Sequence, residues 1–197
     1  MSNFSNDQEN SPQQNQMPVS SEYTEWRRLI LNMPPKAALK NIADEIYGIL
    51  MDVGMGDNYG NFMAISIYAF HTGEASLKAS SGAGVLGLGN TKKIAGLPKK
   101  IIETAQPLIG LTKTADNLDY PKAQQVRFFF LTTSGVRAYE CKIEDLREGH
   151  PFLETFNSFT FIKGVADKMV TNPILKLWGK VAVLWNMFFG GHKQSNQ

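Results

Sequence analysis

Apolar and polar residues alternate with a helical spacing in the first third of the chain. From Pro35 to Val53 the apolar residues recur at steps of three and four, and Lys36, Lys40 and Asp44 fill much of the opposite side. A proline in the first turn is compatible with a helix. The spacing therefore predicts an amphipathic helix over 35–53. Its apolar stripe consists of Leu39, Ile42, Ala43, Ile46, Ile49, Leu50 and Val53.

The pattern changes on both sides of this segment. The short apolar stretch around Trp26 is expected to end before Pro34, because a residue that precedes proline is pushed out of the helical region. Residues 62–70 are apolar on both faces, which is typical of a central strand covered on both sides. Thr72 and Gly73 then permit a tight hairpin to a second strand over 75–80.

The second half of the chain repeats this alternation. Residues 94–108 keep a helical period that Pro98 and Pro107 interrupt, so we expect a broken helix. A polar loop over 112–124, expected to be mobile, leads to a hairpin of strands 126–132 and 136–143. Pro151 opens a further segment, for which we expect a helix, although residues 159–162 fit a strand equally well. The apolar residues that would share the helical face are Phe152, Phe156, Phe159, Ala166, Met169 and Val170.

The predicted order is helix, hairpin, broken helix, hairpin, helix. Strands joined as hairpins pair antiparallel, and the helices must bury their apolar stripes against that sheet. We therefore predict an α+β fold, with an antiparallel sheet of about four or five strands covered by helices. This element order resembles that of the roadblock, longin and profilin-type domains, and the resemblance implies a fold without implying a function.

Composition indicates one domain with tails. The chain has 197 residues, of which 43% are hydrophobic and 19% charged. Residues 1–21 are rich in Ser, Asn and Gln and are predicted to be disordered, because they hold too few apolar side chains to offset the entropy of ordering. The predicted domain covers 22–172, an amphipathic C-terminal helix covers 173–189, and 190–197 form a flexible tail. The first residues predict no secretory signal peptide.

Charge and cysteine content narrow the function classes. A single cysteine, Cys141, excludes an intramolecular disulfide and a cysteine-rich zinc site, and it favours a reducing, cytoplasmic compartment. The formal net charge of +2 gives no reason to expect nucleic-acid binding. Three scattered histidines make a His-based metal site a poor expectation.

The strongest signal outside the predicted core is the C-terminal segment 173–189. It is too short, and contains too many lysines, to span a bilayer. One interpretation is a helix docked on its own domain or across a dimer, and the other is a helix lying in an anionic membrane surface. The candidate partner-binding or membrane-binding residues are Ile174, Leu177, Trp178, Lys180, Val181, Leu184, Trp185 and Phe188.

Two weaker signals concern anions and nucleotides. Lys92, Lys93, Lys99 and Lys100 form two pairs seven residues apart, which would project from nearly the same side of a helix and meet phosphate. The glycine-rich stretch 82–91 matches G-x-G-x-x-G and approaches a phosphate-binding loop, although Asn90 stands where that loop needs lysine. We interpret the stretch as a flexible loop or an irregular strand.

The remaining reactive side chains suggest no catalytic group. Cys141 is in strand register with Tyr139 and Ile143, which predicts a buried, inert thiol. His71 and His150 have no acidic or cysteine partner nearby in sequence. We therefore expect no cofactor and no metal.

The leading functional expectation is a non-enzymatic cytoplasmic interaction or adaptor domain that self-associates through its C-terminal helix. One alternative is a peripheral membrane protein that uses 173–189 and the four lysines. The other is an enzyme or nucleotide binder that uses 82–91.

Overall fold

The computed structural model of the protein describes residues 19–35, 45–56 and 62–169. In this part of the chain seven strands form one antiparallel sheet, in the order β4-β3-β2-β1-β6-β7-β5. The strands are β1 (Ile46–Gly56), β2 (Phe62–Phe70), β3 (Ala75–Ala79), β4 (Gly84–Val85), β5 (Lys113–Thr114), β6 (Gln125–Thr132) and β7 (Gly135–Lys142). The helices are α1 (Ser21–Leu31), α2 (Leu97–Ala105) and α3 (Leu153–Met169).

The prediction of a helix over 35–53 is wrong for residues 46–53, which belong to the central strand β1. β1 pairs with β2 on one side and with β6 on the other, and its residues are buried on both faces. Ile49 and Leu50 illustrate this, because both are fully buried although they belong to opposite cores. An apolar run with a three- and four-residue spacing fits a strand equally well when both faces are covered.

One face of the sheet is covered by α1. Ser20 caps this helix, since its hydroxyl accepts a hydrogen bond from the Tyr23 N–H at 3.1 Å. Lys78 of β3 forms an ion pair with Glu22 at the helix start. The core on this face consists of Ile30, Leu31, Tyr47, Leu50, Phe70, Phe129 and Leu131. As expected, the helix ends before Pro34.

The opposite face carries the larger core under α2 and α3. The expected broken helix is confirmed, because α2 passes directly into a 3₁₀ helix at Gln106–Leu111, where Pro107 lies in its first turn. The phenylalanine-rich segment is helical as predicted, and α3 buries Phe156, Phe159 and Ile162 against the sheet.

The predicted strand over 62–70 and both predicted hairpins are confirmed. The fold is a mixture of helices and an antiparallel sheet, with seven strands rather than four or five. The predicted tails and C-terminal helix, over 1–18 and 173–197, lie outside the described residues. α1 begins at Ser21, inside the segment 1–21 that was expected to be disordered.

Candidate functional site

An open groove of about 390 Å³ lies between α2 and α3. We call it the α2–α3 groove. Phe161 is its most prominent apolar side chain and remains 53% exposed. The groove is lined by Leu97, Leu153, Glu154, Asn157, Ser158 and Phe161.

The helical period of α3 explains this groove. Thr155, Phe156 and Phe159 are buried on the side that faces the sheet, which leaves the lining residues on the outer side. Gly96, with φ of 83°, lets the chain turn into α2, so that Leu97 lies opposite α3. Met169, in the last turn of α3, is also half exposed. Phe161, with Leu97 and Leu153, thus forms a small apolar patch in a groove whose other lining residues are polar.

The four candidate lysines flank Leu97, one of the groove residues, in sequence. Lys92 and Lys93 lie in a turn that precedes α2, and Lys99 and Lys100 lie in its first turns. All four are exposed, and no ion pair joins them to another described residue. Because residues 92–96 form a turn, the two pairs do not share one continuous helix as the spacing suggested.

The glycine-rich stretch 82–91 contains the edge strand β4 and a short 3₁₀ helix, Leu88–Asn90. Its glycines allow close packing against neighbouring backbone. A β-carbon at Gly84 would lie 2.4 Å from the carbonyl oxygen of Leu77, and one at Gly89 would lie 2.0 Å from that of Gly73. The strands around it pair antiparallel, whereas dinucleotide binding through this motif uses a parallel β-α-β unit.

Sequence reasoning missed a buried polar cluster beneath α1. Arg27 and Asp52 form an ion pair, and the second carboxylate oxygen of Asp52 accepts a hydrogen bond from the Ser66 hydroxyl at 2.5 Å. The Tyr23 hydroxyl lies 2.7 Å from the Ser66 oxygen and donates to it. The only signal in the sequence was an acidic residue, Asp52, inside an apolar run. The sequence around it did not indicate which basic residue would pair with it.

The surroundings of this cluster raise the pKa values of two of its groups. Burial raises the pKa of Asp52 above its usual value, and Arg27 and Ser66 oppose the shift by stabilising the carboxylate. Burial also raises the pKa of Tyr23, and the neighbouring Asp52 raises it further. All four groups are satisfied by one another, and Asp52 has no exposed surface. Such an enclosed cluster holds elements together and offers no surface to a substrate.

The thiol and the two described histidines are engaged in local contacts. Cys141 is half-buried, and burial together with Asp145 and Glu140 raises its pKa to about 11. His150 accepts a hydrogen bond at Nδ1 from the Phe152 N–H, and its Nε2 lies 3.2 Å from the Tyr139 hydroxyl.

The placement of potential metal ligands and the length of the helices bear on metal binding and on membrane insertion. Within 19–35, 45–56 and 62–169, no group of three or more His, Cys, Asp or Glu side chains is placed to hold a metal ion. None of the helices in these ranges has the length and apolar character needed to cross a bilayer.

The candidate residues of the C-terminal segment, from Ile174 to Phe188, lie outside the described residues. Comparisons with protein-family models, with curated proteins and with solved structures found no match.

Proposed function

We propose that this chain is a non-enzymatic protein-interaction domain that forms a dimer, in which segment 173–189 of each copy lies in the α2–α3 groove of the other. The observation that carries the proposal is the exposure of Phe161, 53% of whose surface is accessible in a groove that also holds Leu97 and Leu153. An amphipathic helix in an apolar groove is a common mode of peptide recognition.

The C-terminal segment has the chemistry that such a groove recognises. On a helical wheel its apolar residues fall on one side, and they include Trp178 and Trp185. Tryptophan is strongly enriched among the residues that dominate binding energy at interfaces. Lys176 and Lys180 would lie on the opposite side, in contact with water.

We propose a dimer, and not docking of the segment alone, because the segment has more apolar side chains than the groove can cover. The groove offers three large apolar side chains, Leu97, Leu153 and Phe161, whereas the stripe of segment 173–189 contains seven. A segment docked alone would therefore leave several large apolar side chains exposed. In a twofold dimer the two docked segments contact each other, and this contact buries the apolar side chains that the groove does not cover.

The described side chains support a binding role over a catalytic one. The fully buried carboxylate, Asp52, is enclosed by its partners, and the Cys141 thiol has a pKa far above neutral. We also propose that the protein is cytoplasmic. Its order of helices and strands is proposed to be related to that of the roadblock, longin and profilin-type domains.

Light scattering on the full-length protein tests the proposal. We expect the wild-type mass to be that of a dimer, and Phe161→Glu to reduce it to a monomer because a charge would be buried in the groove. Leu86→Glu is the matched control, since Leu86 is 66% exposed beyond the end of β4 and should leave the dimer intact.

A monomeric wild-type protein at high concentration would contradict the dimer. A dimer that persists in Phe161→Glu would show that the groove is not the contact. Circular dichroism of each variant establishes that the fold is retained.

A second candidate function is peripheral membrane binding, which the four exposed lysines on either side of Leu97 in sequence favour. In this case the segment 173–189 inserts its tryptophans into an anionic surface, and the lysines attract the lipid head groups. Co-sedimentation with anionic and neutral vesicles distinguishes the two candidates. Binding to anionic vesicles that salt weakens, and that Trp178→Gln with Trp185→Gln abolishes, would favour the membrane.

A further inference from the structure

A second cavity lies on the opposite face of the sheet from the α2–α3 groove. It has a volume of about 150 Å³ and opens between the end of α1 and the turn that joins β2 to β3. We call it the β2 cavity. Pockets for drug-sized ligands measure roughly 300–1,000 Å³, so this cavity suits a small group. It is lined by Met33, Pro34, Tyr47, Tyr68, Phe70, His71, Thr72 and Glu74.

Aromatic rings form a large part of its wall. The rings of Tyr68 and Phe70 have centroids 5.0 Å apart and are inclined by 53°, so they form two sides of a corner. Tyr47 adds a third ring to the lining. Phe70 and Tyr47 are only 6% and 7% exposed, whereas Tyr68 is partly exposed. A group that enters the cavity therefore meets the rings away from bulk water.

Neighbouring contacts hold Tyr68 in place. Its hydroxyl accepts a hydrogen bond from the Ser76 hydroxyl at 3.1 Å, and its ring lies against Trp26 with centroids 5.6 Å apart. Ser76 in turn accepts a hydrogen bond from the Gly87 N–H at 3.0 Å. The ring position is thus set by β3, by the chain after β4 and by α1.

The other two rings are also fixed. Phe70 crosses directly over Gly48, where a β-carbon would lie 2.5 Å from two carbons of the ring. The Tyr47 hydroxyl donates a hydrogen bond of 2.5 Å to the carbonyl oxygen of Met33. A site with rings already in position pays little ordering entropy when it binds.

The described residues that line the cavity carry a negative formal charge. Glu74 is exposed at the rim and is the one acidic or basic side chain, histidine apart, among the described residues that line it. His71 Nδ1 lies 3.2 Å from the carbonyl oxygen of Tyr47. Among the described residues that line the cavity, none is a lysine or an arginine.

We propose that the β2 cavity binds a small alkylated ammonium group of the choline type. A cation over the face of an aromatic ring is attracted by the ring quadrupole, and recognition of quaternary ammonium by several aromatic rings follows from this attraction. Tyr47, Tyr68 and Phe70 supply the rings, and Glu74 supplies a compensating charge. A methylated ammonium also has no strong hydrogen-bond donor, which suits an apolar wall.

The test uses the full-length protein and three probes. Choline is titrated by calorimetry, with 3,3-dimethylbutan-1-ol as a neutral probe of nearly the same shape. Binding to phosphatidylcholine vesicles then distinguishes recognition of the ammonium group on a lipid head group from its recognition on a free molecule. We expect saturable choline binding, and at least about tenfold weaker binding of the neutral probe.

Variants assign the binding to this cavity. Tyr68→Leu and Glu74→Gln should each weaken choline binding several-fold, about tenfold for Tyr68→Leu. Glu103→Gln is the control, because Glu103 is an exposed glutamate on α2, on the other face of the sheet. Vesicle binding that free choline displaces would identify a head group as the ligand, and choline binding without vesicle binding would identify a free molecule.

Three results would overturn the proposal. These are the absence of saturable choline binding, equal binding of the neutral probe, and unchanged affinity in correctly folded Tyr68→Leu and Glu74→Gln variants. None of them depends on the dimer, since the α2–α3 groove lies on the other side of the sheet.

Discussion

The guanidinium of Arg27 contacts one carboxylate oxygen of Asp52 through two nitrogens, with Nε 2.8 Å and Nη2 2.6 Å from Oδ2. The same guanidinium donates to the carbonyl oxygens of Leu118 and Asp119, and it lies 4.6 Å from the ring centre of Tyr120. One side chain of α1 therefore connects the central strand with the segment that follows β5. This relationship explains how an 11-residue helix is held on the sheet.

Replacing Arg27 by methionine should destabilise the protein severely. The substitution leaves the Asp52 carboxylate buried without its partner, and breaking a buried pair in this way costs about 3–5 kcal/mol. Urea unfolding measures the loss. Arg28→Met is the matched control, because the pair of Arg28 with Glu25 is exposed, and its unfolding midpoint should stay close to that of the wild type. Equal effects of the two substitutions would contradict this account.

Stability of the Arg27→Met variant should also depend on pH. Burial already raises the pKa of Asp52 above its usual value of 3.8, and loss of the guanidinium, which opposes this shift, raises the pKa further. A carboxyl whose folded pKa is raised stabilises the fold below its unfolded pKa and loses that contribution as the pH rises. The variant should therefore approach wild-type stability near pH 4 and fall away from it towards pH 8. If the stability of the two proteins changed in parallel with pH, Asp52 would not be the group responsible for the difference between them.

Gly48→Ala should destabilise the fold by displacing the Phe70 ring. The new methyl group would lie 2.5 Å from that ring, and overpacking of this kind costs about 1–3 kcal/mol. Gly164→Ala is the control, because a β-carbon there meets no atom within 4 Å and alanine favours the helix by about 0.5–1 kcal/mol. Thermal unfolding should show a lower melting temperature for Gly48→Ala and a higher one for Gly164→Ala. A Gly48→Ala variant more stable than the wild type would contradict the close contact between Gly48 and the Phe70 ring.

Cys141 should react slowly with thiol reagents in the folded protein. Its pKa of about 11, against a usual 9.0, lowers the thiolate fraction at neutral pH, so alkylation should be about 10- to 100-fold slower than in the urea-unfolded chain. The rate of iodoacetamide modification at pH 7.5 measures this. Equal rates in the folded and unfolded chain would show that the thiol is not shielded.

The hairpins and the later helices were predictable because short-range signals specify them. β2 is apolar on both faces, the turns after β2 and β6 contain glycine, and prolines mark the breaks around α2. These signals act within a few residues and do not depend on which elements meet in the fold.

β1 could not be assigned by periodicity, because it is covered on both faces and its apolar spacing fits a helix. The glycines within it were the signal that periodicity overlooked. Gly48 and Gly54 are unfavourable in a helix, and in the strand they admit the Phe70 ring and the carbonyl oxygen of Lys122.

The candidate sites depend on contacts between distant parts of the chain. Arg27 and Asp52 are 25 positions apart, and Leu97 and Phe161 meet in one groove only because α2 and α3 pack on the same face. The β2 cavity likewise combines Met33 with Glu74. No local pattern encodes such neighbours, so the sequence predicted the binding segment 173–189 without the surface proposed to receive it.

The most direct measurement is photo-crosslinking of full-length protein carrying p-benzoylphenylalanine in place of Phe161. Isotopically heavy and light copies are mixed, equilibrated, irradiated and analysed by mass spectrometry. The account predicts adducts between position 161 and residues 174–188, with heavy-to-light pairs that place the two in different copies. Adducts only to other regions, or only within one copy, would contradict the dimer built on the α2–α3 groove.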